Sequence, residues 1–212
     1  MKVSCIFFVF LFLFISQWQA KSQTVIEKEF YGKSKYKNGY GIVLCSISRL
    51  RIKPYYTSYE LSLSNYQTGK RTSLHKNTIK QTEAPVYNYE NDSLQVYLTA
   101  EILPVGKYKI FNFHLDNGAE DFYCRQDFEI PFEVTENKIS YIGDYLCVPI
   151  KASFLGIKGP YGGLFFLSDK LSRDSSIIAN KYKEFDFRNI INRTPDSLIN
   201  NIGCIEKKEQ SF

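Results

Sequence analysis

The chain has 212 residues, enough for one domain with an appendage and too few for two full-sized domains. Its 27 basic and 22 acidic residues leave a net charge of +5, close to balance, which excludes a dedicated nucleic-acid binder with its strong basic patch. Tyr and Phe number 16 and 17, against one Met and one Trp, so aromatic rings must fill much of any core.

Residues 1–22 read as a secretory signal peptide. Lys2 supplies the positive start, Cys5–Ile15 is an unbroken apolar run of 11 residues, and Ala20 and Ser22 suit cleavage after Ser22, with cleavage after Ala20 as the alternative. The run is too short to span a membrane, which takes about 20 apolar residues. The expected location is periplasmic or extracellular, with membrane contact only through the cleaved segment. Residues 23–38 form an arm in which Lys28, Lys33, Lys35 and Lys37 interleave with Phe30, Tyr31 and Tyr36. Such an arm suits an anionic surface, and a solvated leader to the first strand is the plainer reading.

Residues 39–167 are expected to form a β-sandwich. Ile42–Ile47 opens it. In Tyr55–Ser64, Tyr55, Thr57, Tyr59, Leu61 and Leu63 alternate with polar residues, the period of a half-buried strand. A polar connection with one weak strand covers 65–84. Then follow Leu94–Ile102, Lys107–Leu115, Phe122–Val134, Lys138–Ile150, Ala152–Ile157 and Gly163–Leu167. Strands at this spacing without intervening helices predict an antiparallel sandwich, Ig-like or transthyretin-like. Leu103–Lys107 and Val134–Lys138 read as hairpin turns through Gly106 and Asn137, and Asp116-Asn117-Gly118 as a third. Pro131 marks an edge or a bulge. Phe128, Ile130, Phe132, Ile139, Tyr141 and Phe166 are among the expected core positions.

Residues 168–212 form a C-terminal appendage. Ser168-Asp169 caps a helix near 169–183 that packs on the sandwich through Leu171, Ile178 and Tyr182, and Thr194-Pro195-Asp196 opens a second, short helix.

Several phrases occur together in this order. Gly41–Ile47, Leu103–Tyr108, Phe128–Val134 followed by Lys138 and Tyr141-Ile142-Gly143-Asp144, and Asp174–Tyr182 resemble segments of a group of uncharacterised bacterial secreted proteins and lipoproteins. The Leu103–Tyr108 phrase is also similar to the hairpin of carboxypeptidase-regulatory-like and transthyretin-like sandwiches. The resemblance implies a fold and a compartment, and no activity.

Four cysteines survive cleavage, Cys45, Cys124, Cys147 and Cys204, an even number that suits two disulfides in an oxidising compartment. No pair has zinc-site spacing, so no metal is expected. If Phe128, Ile130 and Phe132 face inward, Cys124 does too. Pairing Phe132 with Tyr141 then puts Gly143, Tyr145 and Cys147 on the same face. This parity predicts Cys124–Cys147 with Cys45–Cys204; Cys147–Cys204 is the competing pairing.

Residues that could carry chemistry are sparse. The chain has no nucleophile elbow and no phosphate-binding glycine loop. His75 and His114 read as surface or strand histidines, and Asp116, Glu120 and Asp121 as loop acids. Asp144, after Gly143, is either an exposed acid or the cap of a bulge. Tyr56 and Tyr89, with Tyr55, Tyr59, Tyr87 and Tyr97, could stack on sugars or fill the core. The expected protein is a non-catalytic, cofactor-free β-sandwich of the bacterial cell envelope, binding an envelope protein or a glycan, or giving structural support. The alternatives are a carbohydrate-binding module using Tyr56 and Tyr89, and a small hydrolase using Asp144 with Glu120 or Asp121.

Overall fold

The alternating runs become two stacked sheets. The computed structural model describes residues 38–51, 56–77, 88–154, 157–181, 189–196, 198 and 203–207. The signal segment, the arm through residue 37, Tyr55, Tyr87, Tyr182 and most of the expected second helix lie outside them; residues 194–196, within them, are not helical.

The first sheet contains β1 (Tyr40–Leu50), β4 (Tyr89–Glu90), β5 (Leu94–Pro104), β9 (Ile139–Phe154), β10 (Ile157–Ser168), β11 (Ile190–Asn192) and β12 (Ile205–Lys207). Its order is β12-β10-β9-β1-β5-β4, with β11 on the start of β9. The second contains β2 (Ser58–Asn65), β3 (Arg71–Asn77), β6 (Gly106–Asp116), β7 (Asp121–Tyr123) and β8 (Ile130–Val134), in the order β3-β2-β6, with β7 and β8 both pairing β6. One helix, α1 (Leu171–Lys181), follows β10. Asp169 Oδ1 accepts the Leu171 amide at 2.9 Å, the cap the sequence predicts.

The sandwich with one C-terminal helix is thus as expected, and the first sheet adds parallel pairs. β1 runs parallel to β9, β9 to β11 and β10 to β12. Being central, β1 is buried on both faces from Gly41 to Arg49, which explains its continuous rather than alternating apolar run. Val43, Cys45 and Ile47 point into the space between the sheets, where they join Tyr59, Leu61, Leu63, Ile110, Phe128, Ile130 and Phe132. The residues between them, Leu44, Ser46 and Ser48, take the opposite face.

Two of the three turns do not make hairpins. Leu103–Lys107 leaves β5 in the first sheet and enters β6 in the second, while Val134–Lys138 leaves β8 and enters β9. Asn137 adopts the left-handed φ of 54° that its turn requires, but each turn is a corner between layers. Asp116–Gly118 does close a hairpin, pairing Asp116 with Asp121. Phe122–Val134 divides into β7 and β8. Lys138–Ile150 and Ala152–Ile157 lie mostly on one long strand, β9, with Ile157 opening β10. Pro131 stands on β8, which pairs with β6 alone, an edge position as expected.

A bulge corrects the expected faces of β9. The β1–β9 register shifts between Leu44 and Ser46, opposite Gly143, whose φ is +108°. Ile142, Tyr145 and Cys147 therefore enter the inter-sheet core, while Tyr141 pairs beside Leu44 and Asp144 beside Ser46 on the far face. On β10, Phe165 pairs beside the inward Cys147 and Phe166 beside Leu146, so Phe165 and not the expected Phe166 lies in the core.

The cysteine pairing is also corrected. Cys124 is bonded to Cys204, with α-carbons 5.9 Å apart, and Cys45 and Cys147 are free and buried. Inward parity was right for Cys124 and Cys147, which both reach the core. The ladder assumed between β8 and β9 does not exist, because they belong to different sheets. Cys147 pairs beside Arg49, four residues along β1 from Cys45, about 13 Å at the usual rise per residue, well beyond disulfide reach. Burial pushes both free thiols above their ordinary pKa, so neither is a reactive thiolate.

Candidate functional site

The expected site residues are not brought together. Tyr56 lies inside the sandwich at 1 % exposure, edge-on to Tyr59 and Phe122. Its hydroxyl donates to the Gly162 carbonyl, and burial pushes its pKa up to about 12. It is a core residue and no sugar platform. Tyr59 and Tyr97 are likewise buried. Tyr89 is exposed on the short edge strand β4. Asp144 is 3 % exposed on the outer face of the first sheet, whereas Asp121 belongs to the second sheet and contacts His114 at 2.6 Å. The carboxylates suggested for hydrolysis are therefore separated.

Asp144 belongs to a buried polar cluster beneath α1. From β1, Ser46 Oγ lies 2.7 Å from Asp144 Oδ1 and 2.6 Å from Asp174 Oδ2, and Ser48 Oγ donates to Asp144 Oδ1 at 2.5 Å. From β9, the Tyr141 hydroxyl donates to Asp174 Oδ2 at 2.6 Å. From α1, Arg173 places one nitrogen 3.0 Å from Asp144 and another 2.8 Å from Asp174. Burial raises the Asp174 pKa, against the opposing pull of Arg173. Burial works against the Arg173 charge, but Asp144 and Asp174 hold its pKa above the ordinary value. Asp174, Ile177 and Ile178 are the buried residues of the helix, spaced as neighbours on one face. The cluster is a fastening and is closed to ligands.

Among the described residues, a place open to a ligand is a groove of about 470 Å³ at the seam of the sandwich. Tyr66, Lys107, Pro131, Phe132 and Glu133 form one wall, and residues 192–196 beyond β11 form the other. Arg193 crosses the seam: its amide donates to the Tyr141 carbonyl and its guanidinium reaches Glu133 at 3.5 Å. Arg193 Nε and Thr194 Oγ1 have no hydrogen-bond partner within the protein. Tyr66 is 44 % exposed, and its hydroxyl donates to Glu129, which fixes the ring. Sequence reading missed Tyr66 because it sits in the aperiodic connection after β2. Its one signal is an aromatic residue in an otherwise polar turn, Asn65–Lys70. Among the described residues no group of three or more His, Cys, Asp or Glu side chains could hold a metal ion.

No protein-family model and no curated protein matches the chain. Two solved structures are similar in part. A leucine-rich repeat protein from Bacteroides thetaiotaomicron is 17% identical over 53% of this chain and 14% of its own, with a TM-score of 0.32. A candidate cell adhesion protein from Parabacteroides distasonis is 8% identical over 60% of this chain and 40% of its own, also at 0.32. The chain thus spans less than half of either one.

Proposed function

We propose that this is an exported, non-catalytic β-sandwich protein of a bacterial cell envelope that binds a glycan segment in the seam groove. The groove carries the reading. Its volume falls within the range of about 300–1,000 Å³ usual for small-ligand sites. Tyr66 offers a fixed aromatic face of the kind on which a pyranose stacks. The partly exposed Arg193 guanidinium and the Glu133 carboxylate meet at the groove wall, and sugar hydroxyls can both donate to and accept from such groups. Export rests on the signal-like segment Lys2–Ser22, and the bacterial envelope on the resemblance of Gly41–Tyr182 to secreted bacterial chains.

An array of envelope glycans probed with the purified protein tests the reading. Retention of at least one glycan is expected, weakened at least tenfold by Tyr66→Ala and by Arg193→Ala and unchanged by Tyr89→Ala. An array without retention, or retention indifferent to the first two substitutions, overturns the glycan reading. Cell fractionation tests export separately, since a cytoplasmic protein carrying residues 1–22 intact would sink it.

A further inference from the structure

The cluster beneath α1 is one proton short. Ser46 Oγ lies within hydrogen-bond distance of both Asp144 Oδ1 and Asp174 Oδ2, at 2.7 and 2.6 Å. A hydroxyl has a single proton to donate. The other donors are committed elsewhere: Ser48 to Asp144, Tyr141 to Asp174, and Arg173 to both carboxyls and, at 3.0 Å, to Ser46 itself. If both acids were ionised, one of the two contacts at Ser46 would set a lone pair against a lone pair.

We propose that Asp174 carries the missing proton, so that a neutral carboxylic acid, relayed through Ser46 to Asp144, forms a pH-sensitive latch holding α1 on the first sheet. With this assignment each group is satisfied. Asp174 Oδ2 donates to Ser46 and accepts from Tyr141. Ser46 accepts from Asp174 and Arg173 and donates to Asp144. Asp174 Oδ1 accepts from Arg173 Nε. One guanidinium then faces one carboxylate, and the buried charge is balanced.

The choice between the two acids follows from their donors. The Asp144 oxygen that faces Ser46 already takes Ser48 and Arg173, whereas the Asp174 oxygen that faces Ser46 takes only Tyr141 besides, which leaves room for a proton on Asp174. Asp174 is 0 % exposed, and burial disfavours its charge. Asp174 is met directly by Ser46 from β1, Tyr141 from β9 and Arg173 from its own helix; Asp144 stands across Ser46, and the buried Cys45 thiol of β1 is a further titratable group in its field. The neighbouring β5 residues in register with this face of β1 are Val96, Leu98 and Ala100, which carry no charge.

The sign of the pH dependence follows. A carboxyl with a raised pKa in the folded state contributes stability that is complete below its unfolded value of about 3.9. That contribution is lost as pH rises through the folded value. Beyond it, two buried carboxylates face one guanidinium across a hydroxyl that can serve only one of them, and α1 loosens.

Carboxyl carbon-13 NMR of the purified protein is the test. The Asp174 resonance is expected at its protonated position at neutral pH, titrating only on the alkaline side. Asp174→Asn retains a donor toward Ser46 and should flatten the fall in melting temperature from mildly acid to alkaline pH. An ionised Asp174 at neutral pH overturns the proposal, as does an Asp174→Asn protein whose melting follows the parent's pH slope. If that variant fails to fold, the parent's NMR titration decides alone.

Discussion

The two faces of the first sheet are both buried, and they are buried by different physics. Toward the second sheet, Val43, Cys45, Ile47, Ile142, Tyr145 and Cys147 meet an apolar layer. This attraction depends on area and volume and has no direction. Beneath α1, the same two strands present Ser46, Ser48, Tyr141 and Asp144 to Arg173 and Asp174. There each atom needs a particular partner at a particular distance, because an unmatched polar group in a dry interior is costly. The inner face can be satisfied by many apolar sets of similar volume. The outer face admits few alternatives, and so it fixes where one helix sits.

Removing one ion should therefore have the largest effect. Asp144→Ala leaves the Arg173 guanidinium without its carboxylate partner and strands the donors of Ser46 and Ser48. Breaking a buried pair in this way costs about 3–5 kcal/mol. Urea unfolding should show that loss in the midpoint, and a loss below about 1 kcal/mol would place the pair among exposed ones.

An apolar deletion on the inner face should come next and should scale with volume. Ile47 is fully buried between the sheets. Ile47→Ala is expected to cost about 2–5 kcal/mol, and Ile47→Val about 0.5–1.5 kcal/mol. The graded response is the point of the comparison. If Ile47→Val were as damaging as Asp144→Ala in the same urea experiment, the inner face would be as exacting as the outer.

The same division explains what could be read from the sequence. Alternation in Tyr59–Leu63 and in Phe128–Val134 located buried strand faces correctly, since solvent and core impose that period locally. Gly106 and Asn137 likewise announced their turns, because a left-handed φ is a local demand. Which sheet the next strand joins is not local: Leu103–Lys107 and Val134–Lys138 have hairpin chemistry and yet cross between layers. Asp144 stood out beside Gly143, but its partners Ser46 and Asp174 lie 98 residues before it and 30 after it, in segments with no shared period. The disulfide failed for the same reason. Parity placed Cys124 inward, but only the topology brings Cys204 to it. The groove wall at Arg193 was illegible, because it exists only where β8 and the chain after β11 come alongside.

Deleting a single buried hydroxyl sharpens the contrast most, because one chemical change should have opposite signs on the two faces. Ser48 and Ser140 are both fully buried. Ser48 lies on the outer face and donates to Asp144. Ser140 pairs beside Val43, which sets it on the inner face, and its hydroxyl has no hydrogen-bond partner. Ser48→Ala removes a hydrogen bond to a charged group and should lower stability by about 1.5–3 kcal/mol. Ser140→Ala removes only a dehydrated, unpaired hydroxyl and should raise stability by about 1 kcal/mol. Paired urea titrations read both shifts. Loss of stability in both variants would mean that Ser140 has a partner on the inner face, and the division between a non-directional and a directional face would fail there.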